Sequence, residues 1–182
     1  MQRLLLSVLI IATGFLGACK KEKAVNSDNY GNGPRTNVPA SLQGNWMYGN
    51  FSMTEYWSQN PADYLGNAFE MAIAFHFNAN GTYEQYFTSK TVSGGVATYH
   101  QSLTKGTVVI SEADKKITTH ANTAHYKQTK NGTTIVNRDL DDDEITKITN
   151  YTFETGTGPN GTKVIHLRLH GTVEPLTFLQ KF

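Results

Sequence analysis

A chain of 182 residues is long enough for one domain with a tail. Only 17% of its residues are charged and 38% are apolar, the balance of an ordinary globular protein. Of its 16 basic residues one, Arg3, falls in the N-terminal leader, so 15 remain against 15 acidic ones; a neutral domain without clustered Lys and Arg is excluded as a nucleic-acid binder.

Residues 1–18 read as a signal peptide. Arg3 supplies the positive start, Leu4-Leu5-Leu6-Ser7-Val8-Leu9-Ile10-Ile11-Ala12 the apolar core, and small residues lead to Cys19. The run from Leu4 to Ala18 is about 15 residues, short for spanning a hydrocarbon core of roughly 30 Å. Cys19 is the only cysteine in the sequence. An exported domain with one thiol has no internal disulfide, so its stability must come from its core. Leu16-Gly17-Ala18-Cys19 resembles the lipobox of bacterial lipoproteins. That resemblance implies that Cys19 becomes the lipid-bearing first residue of the mature chain, with several acyl chains such as palmitate. One chain binds a membrane only marginally, at ~0.8 kcal/mol per buried CH₂, whereas several anchor stably. Lys20 after the cysteine is similar to lipoproteins sorted to the outer membrane, with the periplasmic and external faces both open.

Residues 19–41 read as a lipidated flexible tether. Lys20-Lys21-Glu22-Lys23 is charged, and Asn26 to Pro39 is rich in Asn, Gly, Ser, Asp and Pro, with little to bury.

From Leu42 onward strand signals dominate. Asn80-Gly81, Asn131-Gly132 and Asn160-Gly161 sit between strand-forming runs, and Asn-Gly tolerates the positive φ of type I′ hairpin turns. All three also spell glycosylation sequons, for which a turn is the better reading here. The flanking runs alternate. Met71, Ile73, Phe75 and Phe77 share a face opposite Ala72, Ala74 and His76. Tyr83, Gln85 and Phe87 oppose Glu84 and Tyr86; Ile165, Leu167 and Leu169 oppose His166, Arg168 and His170; Leu176, Phe178 and Phe182 share a face. Weaker strands fit 43–48, 96–104, 106–111, 116–127, 133–139 and 145–154. About ten strands in a meander tend to close, leaving no unpaired edge. The expected fold is therefore all-β: a single antiparallel up-and-down barrel of about 8–10 strands over residues 42–182, with an unrelated β-sandwich as the alternative. Residues 50–68 are too long for a turn and rich in aromatics, which marks a functional or self-packed loop.

Leu42-Gln43-Gly44-Asn45-Trp46 resembles the G-x-W signature that opens lipocalin-like barrels. The resemblance spans roughly residues 42–182, and a family C-terminal helix is not evident. It implies that Trp46 plugs the closed end and that a late basic residue, Arg168 or Lys181, packs across it. It also implies that the loop after the first strand is a lid, so Tyr56, Trp57, Tyr64 and Phe69 would form an aromatic rim over a ligand. His76 would face inward as a lone polar group. The alternative is that the aromatics fill and seal the barrel.

No catalytic constellation emerges. His166 and His170 lie i and i+4 on a strand, some 13 Å apart at ~3.3 Å per residue, and cannot share one metal ion. The run Asp139, Asp141, Asp142, Asp143 and Glu144 lacks the glycine and spacing of a calcium loop and reads as a solvated hairpin tip. The reading is a monomeric, membrane-tethered carrier of a small, mostly apolar molecule, with no cofactor, metal or catalysis. The alternative is a filled barrel that contacts an envelope protein or a glycan.

Overall fold

The computed structural model describes residues 29–49, 69–158 and 161–181. Within them lie nine strands and no α-helix: β1 (Gly44–Tyr48), β2 (Phe69–Phe77), β3 (Thr82–Ser93), β4 (Val96–Ser111), β5 (Lys116–Lys130), β6 (Thr133–Asp139), β7 (Ile148–Thr157), β8 (Lys163–Leu169) and β9 (Leu176–Lys181). All belong to one antiparallel sheet. β1 pairs with β2 on one side and with β9 on the other, while β4 pairs with β5 and β5 with β7. The sheet thus closes into a ring of eight strands, and β6 is a side branch paired with the upper half of β5. A closed ring replaces the sandwich alternative. Eight strands leave an interior just wide enough for side chains or one small guest.

Alternation decides what the ring encloses. Trp46, Phe75, Phe77, Tyr83, Val108, Ile110, Ile117, Phe153, Ile165, Leu167 and Phe178 point inward and form one buried cluster. Phe75 stacks on Phe77 with centroids 5.4 Å apart and meets Tyr151 edge-on at 5.9 Å, arrangements that add to the burial of aromatic surface.

The turns follow their sequences with one difference. Asn131 and Gly132 both have positive φ (47° and 79°), as a type I′ turn requires. At Asn80-Gly81 only Gly81 is left-handed (φ 80°). Gly81 N–H donates to the Asn78 carbonyl and Asn78 N–H to that of Thr82, a type I turn closed by a left-handed glycine. Asn160 lies outside the described residues.

The segments 96–104 and 106–111 are a single strand, β4. Its register with β5 shifts between Lys105 and Gly106, where Lys105 faces Thr123, Gly106 faces Ala121, and Asn122 is the extra residue. A Cβ on Gly106 would meet the His120 carbonyl oxygen at 2.1 Å, so glycine is required by the close approach of the backbones. The bulge reverses which β5 residues face inward, from Ile117 and Thr119 below it to Ala124 and Tyr126 above it.

The tether boundary at residue 41 is corrected. From Asn29 the chain is fastened to the sheet. Asn122 Nδ2 and Thr123 Oγ1 donate to the Asn29 carbonyl, and Tyr30 Oη donates to Glu84 Oε1 at 2.6 Å. Thr36 N–H donates to the Val108 carbonyl, Val38 N–H to the Ala79 carbonyl, and Ile110 N–H to Thr36 Oγ1. Val38 and Leu42 are 3% and 1% exposed. Two buried apolar residues, two backbone–backbone hydrogen bonds and one from a backbone N–H to the Thr36 hydroxyl turn a polar segment into a strap across the end of the ring. Gly81 serves this strap too, since a Cβ there would meet the Thr36 carbonyl oxygen at 2.3 Å.

Candidate ligand site at the mouth of the ring

The lower end of the ring is sealed. Gly44 opens β1 with φ +99°, a conformation that favours glycine, and places Trp46 opposite Phe75 with the indole 1% exposed. Indole Nε1 donates to the Leu42 carbonyl at 2.8 Å, tying strap to strand. The expected basic partner is not there. Arg168 alternates with inward Leu167, so it points outward and is exposed. Lys181 pairs with Asn45, on the face of β1 away from the indole, and is exposed as well. Trp46 is covered by the strap and the aromatic cluster instead.

Among the described residues the upper end is open. Above Tyr83 a cavity of about 570 Å³ is bounded by Gln85 on β3, Ser102 and Thr104 on β4, Ala124 on β5, and Ile148 and Tyr151 on β7. That volume is in the range of small-molecule sites. Its position follows from a change of side-chain chemistry along one strand. Below Gly106 the inward residues of β4 are Val108 and Ile110, which fill the ring. Above it they are Thr104, Ser102 and His100, too small or polar to do so. Ala124 opposite Thr104 leaves further space.

Apart from Glu144, which is paired with Arg138, the described wall is polar and uncharged. Gln85 and Thr104 are direct cross-strand partners, and such neighbours lie ~5 Å apart at Cβ. Higher on the same face, His100 Nδ1 and the Tyr126 hydroxyl are 2.6 Å apart. Tyr83 forms the floor; burial raises its phenol pKa despite a hydrogen bond with Thr119. Burial also pushes Tyr151 up to about 12, so both phenols are neutral hydrogen-bonding groups at ordinary pH. One side of the mouth is the segment between β6 and β7, where the acidic run lies. Two ion pairs and a hydrogen bond hold it: Arg138 forms a two-pronged pair with Glu144 (2.7 and 2.6 Å), Lys147 reaches Asp142 at 2.7 Å, and His125 Nδ1 is 2.7 Å from Asp139 Oδ1. The hydrogen bonds from Arg138 hold the Glu144 carboxyl down to about 2. These pairs position Ile145, 8% exposed, at the cavity edge.

Several expected site residues fall elsewhere. Cys19, Tyr56, Trp57 and Tyr64 lie outside the described residues, as does the Phe69 side chain; the Phe69 backbone opens β2 opposite Thr91. His76 does not face inward. Its neighbours Phe75 and Phe77 do, so the imidazole is on the outer face, where Nδ1 meets Asn45 Oδ1 at 2.6 Å and Nε2 meets Asn78 Oδ1 at 2.9 Å. Sequence reading passed over Gln85, Ser102, Thr104 and Ala124. The available signal was the switch at Gly106 from apolar to small polar inward positions. Compared with models of protein families, with curated proteins and with solved structures, the chain finds no match.

Proposed function

We propose that the chain is a lipid-anchored, lipocalin-like binding protein that holds a small amphipathic molecule in the mouth of its ring, without catalysis. The cavity above Tyr83 carries this reading: a ring closed at one end by Trp46, Val38 and Leu42 and, among the described residues, left unfilled at the other by Ser102, Thr104 and Ala124. Ile148 and Tyr151 would take the apolar part of the guest, and the Gln85–Thr104 pair would fix a hydrogen-bonding edge. The G-x-W motif supports the family likeness. The leader and Leu16-Gly17-Ala18-Cys19 support the anchor, with the cell envelope as the place.

An apolar dye that fluoresces on leaving water tests the cavity. The wild-type chain should enhance its emission, and Ala124→Trp, which fills the space beside Thr104, should lower dye affinity at least tenfold while leaving the unfolding midpoint within a few degrees. Equal affinity in the two proteins would remove the mouth as the site. The anchor is tested separately: cells fed radiolabelled palmitate should label the wild-type chain but not Cys19→Ser, and label retained by the variant would refute it.

A further inference from the structure

On the outer face, just over the rim from the cavity, β5, β7 and β8 carry a second concavity of about 380 Å³. Its walls include Lys116, Thr118, Asn150, Thr152, Arg168 and His170. Register explains the grouping. Lys116 pairs with Thr152 and Thr152 with Arg168, so the two cations flank a threonine hydroxyl in one row. Thr118 pairs with Asn150 in the next row, toward the rim, and His170 N–H donates to the Asn150 carbonyl. Two strand spacings of ~4.8 Å separate the Lys116 and Arg168 backbones by roughly 10 Å, so both long side chains can converge on one group between them.

Neither cation is in an ion pair with any described residue, and none of the described residues lining the groove is acidic. The nearest carboxylate on the same face of β7 is Glu154, one row beyond Thr152 and opposite His166. The cations of the segment beside the mouth are already matched, Arg138 by Glu144 and Lys147 by Asp142. Lys116 and Arg168 are therefore cations with donors beside them and no ion-paired carboxylate among the described residues, although Arg168 also borders a neighbouring concavity that holds Asp114 and Glu154.

The two concavities meet. Asn150, Tyr151, Leu169 and His170 line both. Leu169 at this meeting point is 43% exposed, and Ile148 on the cavity side is 56% exposed; together they form an apolar saddle between the lumen, whose one carboxylate Glu144 is paired with Arg138, and a basic groove. We infer that the groove is the headgroup subsite of the mouth cavity: it takes the tetrahedral anion, of phosphate type, of an amphiphile whose apolar part crosses the Ile148–Leu169 saddle into the lumen. A tetrahedral head offers three oxygens, which suits three donor directions from the Arg168 fork, the Lys116 ammonium and the Thr152 hydroxyl. This inference rests on the lumen reading and adds a chemical class to it.

Displacement of the lumen dye by three probes tests it: dodecyl phosphate, dodecanol and inorganic phosphate, each below any micellar concentration. Dodecyl phosphate should displace the dye at a concentration at least tenfold lower than dodecanol, and raised salt should shrink that advantage. The double variant Lys116→Ala/Arg168→Ala, both exposed positions, should bind the dye as the wild type does and lose the advantage. Lys163→Ala/Lys181→Ala, which removes two exposed cations elsewhere, should keep it. Equal displacement by the two alkyl probes in the wild type, or an advantage that survives in the double variant, would overturn the headgroup subsite while leaving the lumen intact. Inorganic phosphate competing as strongly as dodecyl phosphate would make the groove a site for a free anion and overturn the assignment to an amphiphile. A chain that binds no dye at all would remove the lumen reading and this one with it.

Discussion

Glu84 shows how a single side chain fixes the strap. It points away from the lumen on β3, receives hydrogen bonds from Tyr30 and Tyr86, and pairs with Lys105 Nζ at 3.0 Å, while that ammonium lies over the Tyr30 ring. Burial alone would raise its pKa, but the hydrogen bonds from Tyr30, Tyr86 and Lys105 outweigh burial and hold it below the ordinary 4.5. A carboxylate with a depressed folded pKa stabilises the fold fully above its unfolded value, and the stabilisation fades as pH falls through the folded value. Glu84→Gln should therefore unfold at a lower temperature than the wild type at pH 7, and the gap should close as both are taken toward pH 3. Melting curves across that range measure it; a gap independent of pH would mean that the carboxylate charge contributes nothing to holding Tyr30. Trp46 has a different kind of role, since its only polar atom is satisfied by Leu42 and the rest of it is core.

At the scale of elements the bulge between β4 and β5 is the decisive local feature. Above it the paired strands run on past the ring and carry β6; below it they are staves of the ring. Gly106→Ala places a methyl group 2.1 Å from the His120 carbonyl oxygen, a contact that only backbone movement relieves. Overpacking of this kind costs typically 1–3 kcal/mol, so a shift of that size is expected in the denaturation midpoint, along with weaker dye binding because Thr104 and Ala124 sit next to the bulge. A variant as stable as the wild type would show that the two strands can separate at no cost. The same glycine explains why residues 96–111 read as two strands in the sequence: glycine inside an alternating run interrupts the pattern, and the pattern does not distinguish a break from a bulge. The other strands were legible because β-branched and aromatic residues alternate between turn residues, as in Met71–Phe77 and Ile165–Leu169. The strap was not, because composition weighs how much a segment offers to bury and cannot register that Val38 and Leu42 have an eight-stranded end to close. Arg168 was legible as outward by alternation with Leu167, and only the expectation of a partner for Trp46 drew it inward. The site was half legible: the end closed by Gly44 and Trp46 could be read, but the cavity depends on which β5 residues face inward, and that parity changes at Asn122.

The whole molecule then divides into two regimes along its axis. The lower ring has aromatic and branched side chains meeting from all eight of its strands, with the strap beneath. The upper part is a curved sheet of β3, β4, β5 and β6 around a mouth that the described residues leave unfilled, and every described residue of β6 is exposed except the half-buried Val136. Burial of apolar surface is the main source of stability, so local opening should cost least where least is buried. Amides bonded within the lower ring, at Trp46, Phe75, Val108 and Ile165, should exchange with solvent only through global unfolding. The β6 amides that bond to β5 should exchange at least 100-fold faster, a difference of about 2.8 kcal/mol at 1.4 kcal/mol per tenfold. Hydrogen exchange followed residue by residue provides the measurement. A ligand seated in the mouth would contact β4, β5 and the segment joining β6 to β7, and stabilisation by a ligand falls on the states that bind it. Dodecyl phosphate should accordingly slow exchange around Ser102, Ala124 and Ile145, and also in the lower ring, whose amides exchange through the globally unfolded state that does not hold the ligand. Uniform protection from Trp46 to β6 in the free protein would mean that the sheet is one cooperative unit, and a mouth that does not loosen would have to take its guest without any opening of the β6 side.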